Sequence, residues 1–247
     1  MHALVIGGSG LLGEATVKNL LADGAKVTAT YFSRPAPLEE MAKTHSDLFV
    51  TKCDTRSRGF LADSVSLAVK AHGPIDALVY AAGISATRVF RATSERRNFA
   101  SVEEVAEKDL EEMLDLHVRG AFWACQAILT TMKQRRSGRI VILNSLDGVK
   151  ALPVPVHFAL SKAAMKGLVE ALAKEAGEFG ITVNQINLGF VNSETTQRVS
   201  KALRDDYLKH CSLERFAKPE EASALASWLV LQNTYLTGQS LVLDGGL

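Results

Sequence analysis

The chain has 247 residues, 47% of them apolar and 22% charged, enough to bury a sizeable core as one α/β domain or as two small ones. A net charge of +1 gives no global field for nucleic acid or an anionic membrane, and no apolar run approaches the roughly 18 residues of a membrane-spanning helix. The three cysteines, Cys53, Cys125 and Cys211, share no ligand-like spacing, and neither do the histidines. Reduced structural thiols and no metal site are therefore expected, in a soluble cytoplasmic protein whose start, "MHALVIGGSG", shows no leader pattern.

The first strand is predicted over 2–6, "HALVI", and it runs into "GGSGLLGEA". Gly7, Gly10 and Gly13 thus lie between a strand and the amphipathic run "LLGEATVKNLLADG". Glycines in that setting let the backbone turn tightly and approach a pyrophosphate at a helix N-terminus; a purely structural tight turn is the alternative. The second strand, "AKVTAT" at 25–30, continues as "YFSRP", with no acidic residue to bind a ribose 2′-hydroxyl. It offers instead the Ser33 hydroxyl and the Arg34 guanidinium, suited to clamping a 2′-phosphate, so NADP(H) is favoured over NAD(H). If Arg34 is merely solvated, the dinucleotide specificity is loose.

Further strands are predicted at 48–53, 76–80, 139–144, 181–187 and 240–244, with "FLADSVSLAVKAHG" and "EALAKEAGEFG" as helices ending in glycine. This alternation argues for an α/β fold, a parallel sheet of seven strands with helices on both faces. With no linker, repeat or low-complexity segment, one domain over 1–247 is expected. It carries irregular stretches at 84–101 and 190–216, of a kind that serve as active-site lids or surface loops.

The glycine loop at 7–13, Asp54, "AAG" at 81–83, "NSLDG" at 144–148, "FALSK" at 158–162, "GFVNS" at 189–193 and "LTGQSLVLDGG" at 236–246 together resemble the short-chain dehydrogenase/reductase family. The likeness covers essentially the whole chain, and "LERFAKPEEASALASWL" with the tail looks most like 3-oxoacyl-carrier-protein reductases. The resemblance implies a Rossmann-type doubly wound sheet. It also implies a homotetramer or homodimer built through helices over 102–135 and 155–178, where Ala159, Ala163, Ala164, Gly167 and Ala171 permit close packing or form an ordinary buried face.

Carried over by position, Gly7, Ser9, Gly10, Leu12 and Gly13 would hold the pyrophosphate. Asp54 would bind the adenine amino group, and Ala81, Ala82 and Gly83 would pass behind the adenosine ribose. Ser145 would hold a substrate carbonyl and Lys162 the nicotinamide ribose hydroxyls, while Gly189, Val191 and Ser193 would meet the carboxamide. The plainer readings are a loop cap for Asp54, a turn residue for Ser145 and a solvated helix lysine for Lys162.

Several positions depart from the family pattern. Phe158 stands where the family has the tyrosine that protonates the nascent alkoxide, and His117 where an asparagine kinks a helix and holds a relay water. "YAAG" lacks the usual asparagine, Leu188 replaces a proline, Ile6 a threonine, and the glycine spacing is GxxGxxG. Lys162, at i+4 from Phe158, shares its helix face, where an ammonium would lower a phenol's pKa. Losing the acid costs about 10²–10⁴ in rate, so the chain as written is expected to be strongly slowed. Three explanations stand: a tyrosine deliberately replaced to capture a ternary complex, an atypical reductase, or a non-catalytic member. An atypical reductase would take its proton from substrate, water, His117 or His157. Position 157 points about 100° around the helix from 158, which favours a surface or subunit-contact role for that histidine. A non-catalytic member would be a cofactor-binding subunit or a dehydratase or cyclase scaffold.

The substrate wall is expected from 84–101, 146–157 and 190–216, with "LDGVKALPVPVHF" forming a rigid apolar side. Arg88, Arg91, Arg96 and Arg97, against Glu95 alone, suit an acidic carrier protein or a pantetheine phosphate, or else a solvated loop or subunit contact. The expected activity is NADPH-dependent reduction of a ketoacyl thioester or polyketide-like ketone, with no nucleic-acid or membrane partner.

Overall fold

A computed structural model describes residues 1–84, 100–150 and 152–247. The four arginines 88, 91, 96 and 97 lie outside the described residues.

The runs of β-branched and aliphatic residues form the strands β1 (His2–Ile6), β2 (Lys26–Tyr31), β3 (Leu48–Lys52), β4 (Ala77–Tyr80), β5 (Gly138–Ser145), β6 (Ile181–Leu188) and β7 (Ser240–Leu243). They pair in parallel in the order β3-β2-β1-β4-β5-β6-β7. Each observed strand agrees with its predicted span to within a residue or two. Central strands read as continuous apolar runs because both of their faces are covered: β1 and β4 are buried along their whole length.

On one face lie α1 (Leu11–Ala22), α2 (Ala36–Ala42) and α9 (Pro219–Leu231), whose Val17, Leu20, Leu38, Ala222 and Leu229 pack on Ala3, Val5, Val27 and Val79. On the other lie α3 (Arg58–His72), α5 (Gly120–Arg135) and α6 (Val156–Ala176). Their Leu61, Ala124, Ile128, Met165 and Val169 pack on Leu4, Ile6, Leu78, Ile140 and Val183. The result is the doubly wound parallel sheet that the strand–helix alternation predicts.

Two predicted stretches differ in detail. The span 102–135 is not one helix: α4 (Glu107–Met113) widens into a π turn over Leu114–Arg119 before α5 begins. The span 190–216 is not irregular either, since it folds into α7 (Glu194–Gln197) and α8 (Lys201–His210). "KALRDDYLKH" fully buries Tyr207 alone, with Leu203 and Leu208 half-buried on the same face, so its helical period rests on few apolar residues in a largely charged run.

Candidate active site

The site forms at the carboxyl ends of the strands, where β1 has β2 on one side and β4 on the other and the chain winds in opposite directions from that point. Gly7 leaves β1 with φ +80°, and a Cβ there would lie 2.6 Å from the Ala82 amide nitrogen. A Cβ on Gly13 would lie 2.2 Å from the Gly7 carbonyl oxygen. The turn is thus jammed against the segment after β4, and only glycine permits it. Gly10 caps α1 without any side-chain hydrogen bond, so the amides of the first helical turn are left for a ligand or solvent.

These elements open onto a cleft of about 880 Å³. Of the sequence-predicted site residues, Ser9, Gly10, Leu12, Arg34, Ala81, Ala82, Gly83, Ser145, Phe158, Lys162, Gly189, Val191 and Ser193 line it. Gly7 and Gly13 support it from behind. Ser33 and Asp54 do not line it, nor does His117, which packs beneath. Asp54 is taken up locally: its carboxylate accepts from Arg56 Nε at 2.9 Å, Nη2 at 2.8 Å and the Arg56 amide at 3.1 Å, which hold its pKa below the usual range. Arg34 lies at the rim, with Nη2 3.4 Å from the Ser9 carbonyl.

Lys162 projects from the buried face of α6 and is 8% exposed. Its Nζ stands 5.6 Å from the centroid of the Phe158 ring and has no hydrogen-bond partner among the described residues. Burial pulls its pKa down to about 8, with Asp147 opposing. The α6 backbone here is fixed by Asn144, whose Nδ2 reaches the Lys162 carbonyl, Gln185 Oε1 and Asn187 Oδ1, each at 3.1 Å. A Cβ on Gly148 would come within 2.6 Å of that same Lys162 carbonyl. Phe158 is buried against Met113, Ile84 and Val154.

His117 lies on the π turn, fully engaged. The Ile84 amide donates to its Nε2 at 3.2 Å, and its Nδ1 faces Ser161 Oγ at 2.8 Å. Since Ser161 spends its one hydrogen on the Phe158 carbonyl at 2.8 Å, His117 is the neutral Nδ1–H tautomer. Burial and the nearby Lys162 charge push its pKa to about 2, which leaves no proton to give at physiological pH. His157 is not at the surface as expected. It is 5% exposed, neither ring nitrogen is hydrogen-bonded, and burial lowers its pKa.

Ser145 ends β5, and its hydroxyl donates to Asp147 Oδ2. Asp147 is the functional candidate that sequence reading missed. It lines the cleft, and burial raises its carboxyl above the usual range against the Ser145 hydrogen bond and the Lys162 charge. The signal was an acid inside the apolar run "SLDGV", but its meeting with Ser145 depends on the short helical turn Leu146–Gly148. The far wall is tied down by Tyr207 of α8. Its hydroxyl donates to the Asp244 carbonyl at 3.1 Å and accepts from the Phe190 amide at 3.1 Å, and its ring stacks on Phe190 at 4.5 Å. Ser193 caps α7, accepting from the Thr196 amide at 3.0 Å.

The family model described as short chain dehydrogenase matches residues 1–204. This chain is a short-chain dehydrogenase/reductase. The 3-oxoacyl-[acyl-carrier-protein] reductase of Chlamydia muridarum is 29% identical to this short-chain dehydrogenase over 99% of its length and 96% of the relative's. An acetoacetyl-CoA reductase of Allochromatium vinosum is 28% identical over 99% and 97% of the two chains. Among solved structures, a short-chain dehydrogenase/reductase from Serratia marcescens superposes with a TM-score of 0.87 at 30% identity, covering 99% of this chain and 96% of that one. A blue fluorescent protein from a metagenomic library, solved in complex with NADPH, gives 0.85 at 28% identity, with 99% and 96% covered. Among the described residues, no helix of this dehydrogenase is long and apolar enough to cross a membrane, and no cluster of His, Cys, Asp or Glu is placed to hold a metal.

Proposed function

We propose that this short-chain dehydrogenase is an NADPH-dependent carbonyl reductase acting on a ketoacyl thioester or a related ketone. The observation that carries the reading is one cleft holding an uncapped helix N-terminus, an arginine at its rim, and Ser145 and Lys162 on its floor. The residues present fit a nicotinamide dinucleotide. Gly10 puts no side chain between the first-turn amides of α1 and the cleft, so those amides and Ser9 can hold a pyrophosphate. Arg34 supplies the cation for a 2′-phosphate, and Lys162, unpartnered and below its pKa at neutrality, supplies an ammonium for ribose hydroxyls.

The bound cofactor supplies the hydride. The chain's own residues do the rest. Ser145 polarises the substrate carbonyl. Leu152, Pro153, Val154 and Phe190 exclude water along the apolar wall. Phe158, at the position the resemblance assigns to the acid, keeps the packing beside Lys162 but carries no proton. His117 fixes the start of α6 through Ser161. The segment 190–216 serves as the lid, and the small-residue face of α6 serves an intracellular homodimer or homotetramer.

Loss of nicotinamide absorbance tests the reading, with NADPH over a panel of 3-oxoacyl thioesters and cyclic ketones. The chain and its Phe158→Tyr variant are compared above neutral pH. NADPH oxidation in either form, faster in the tyrosine form, supports it. NADPH binding without oxidation in either form points instead to a cofactor-binding subunit or to dehydratase or cyclase chemistry, for which product mass is the readout.

A further inference from the structure

We propose that Asp147 is the proton source for carbonyl reduction in this enzyme, delivering through the Ser145 hydroxyl in place of a tyrosine at position 158. The inference rests on the reductase reading above. Its starting point is hydrogen counting. Ser145 has one hydroxyl hydrogen, and in the structure that hydrogen is given to Asp147 Oδ2. With Asp147 ionised, the serine therefore commits its one donor to the carboxylate and cannot polarise a substrate. With Asp147 protonated, the carboxyl donates to Ser145 Oγ, and the serine hydrogen is released toward the carbonyl. One protonation both supplies the acid and aims the donor.

The surroundings fit that role. Asp147 lines the cleft and is half-buried, and burial disfavours its charged form and raises its pKa. The charged group bearing on it is Lys162 from α6. Lys162 opposes the shift and also limits the cost of the carboxylate left after each turnover. From β5 it faces the Ser145 hydroxyl, and His117, on the π turn beside Lys162, stays neutral. At the family's relay positions, Phe158 has no acidic proton and both nitrogens of His117 are engaged within the fold, which leaves the Lys162 ammonium as the competing donor.

The step balances. Hydride from a reduced nicotinamide reaches the carbonyl carbon and breaks the C=O π bond, whose electron pair takes the Ser145 proton to complete the alcohol. The serine oxygen takes the Asp147 proton, the carboxylate is reprotonated from water, and the cofactor leaves oxidised.

The test is the pH profile of kcat and KM for the parent, Asp147→Asn, Phe158→Tyr and the double variant, with NADPH and a ketone that the Phe158→Tyr form reduces. Thermal unfolding checks that each form is folded. Parent activity should fall as pH rises through the Asp147 pKa. Asp147→Asn should lose about 10²–10⁴ in kcat, with KM within a few-fold. In the Phe158→Tyr background the same change should cost under about tenfold, because the phenol supplies the proton. Infrared difference spectra of the cofactor-free protein should show a protonated carboxyl band that Asp147→Asn removes. If Asp147→Asn leaves kcat within about threefold and the profile unchanged, the proposal fails while the reductase reading stands. An activity loss above pH 8 that is insensitive to Asp147 would assign the proton to Lys162 instead and also overturn it. If neither the parent nor Phe158→Tyr oxidises NADPH with any ketone, the reductase reading itself falls.

Discussion

Lys162 carries a cost in the folded chain that only a ligand can recover. Its pKa of about 8, against 10.5 for a free lysine, corresponds to roughly 3 kcal/mol against the buried ammonium at neutral pH. The sign follows from proton counting. Between pH 8 and 10.5 the unfolded chain holds the proton that the folded one has lost, so stability rises with pH across that window and is flat below it. Lys162→Met should abolish the rise and, at pH 7, stabilise the fold by about 1–3 kcal/mol in urea denaturation while weakening NADPH binding. Arg34 has the opposite character: exposed at the rim, it contributes little to the fold. Arg34→Glu should leave the melting temperature within a degree or two of the parent's while raising the KM for NADPH about 10–100-fold, with NADH much less affected. At this scale the sequence reads well where a residue's neighbour is set by helical or strand spacing. Ser145, Phe158 and Lys162 come together because a strand end faces consecutive turns of one helix. It reads poorly where a side chain has a second option. Asp54 sits at the expected place but is claimed by Arg56, two residues on, and the Asp147–Ser145 contact needs a turn that no periodicity announces.

Among the elements, α6 is the one whose position decides the site, and it is held on β5 by very close backbone approach. Gly148 passes so near the Lys162 carbonyl that any Cβ must displace the helix. Gly148→Ala should cost about 1–3 kcal/mol of stability and lower kcat/KM, whereas Gly167→Ala on the open side of the same helix, where nothing lies within 4 Å, should cost no stability. The polar residues of β6 carry a related message. Asn184, Gln185 and Asn187 sit in a strand buried along its whole length, and Gln185 and Asn187 serve to seat the Asn144 amide that binds α6. Such residues in a central strand are a readable sign of a buried network. By contrast, α8 is hard to read in the sequence, because its inward face is only Leu203, Tyr207 and Leu208 within a strongly charged run.

At the scale of the whole molecule, the doubly wound parallel sheet was legible because each β-branched run alternates with a helix, while the order of its strands comes from the structure. The proposed self-association is legible only as a surface left over. Ala163, Gly167 and Ala171 do not form a buried face within one chain but lie exposed on α6, with Leu160 53% exposed beside them and Phe122 of α5 49% exposed. A helix face that is both small and apolar suits a second copy of itself. Ala163→Arg and Gly167→Arg should therefore shift the sedimentation coefficient toward the monomer without unfolding the chain.

The three cysteines, all free and buried, give the molecule a set of internal clocks. Cys125 lies in α5 within the core, Cys53 follows β3 at the sheet's edge, and Cys211 follows α8, its sulfur facing the Asp244 and Gly245 carbonyls. A thiol-trapping reagent can reach each only when its own neighbourhood opens, so three capture rates report three separate opening equilibria in one experiment. Cys211 should be captured first, since few apolar contacts hold α8 down, and Cys125 last, on the timescale of global unfolding. Saturation with dinucleotide should slow Cys211 far more than the other two, turning its capture rate into a binding signal that needs no substrate and no turnover.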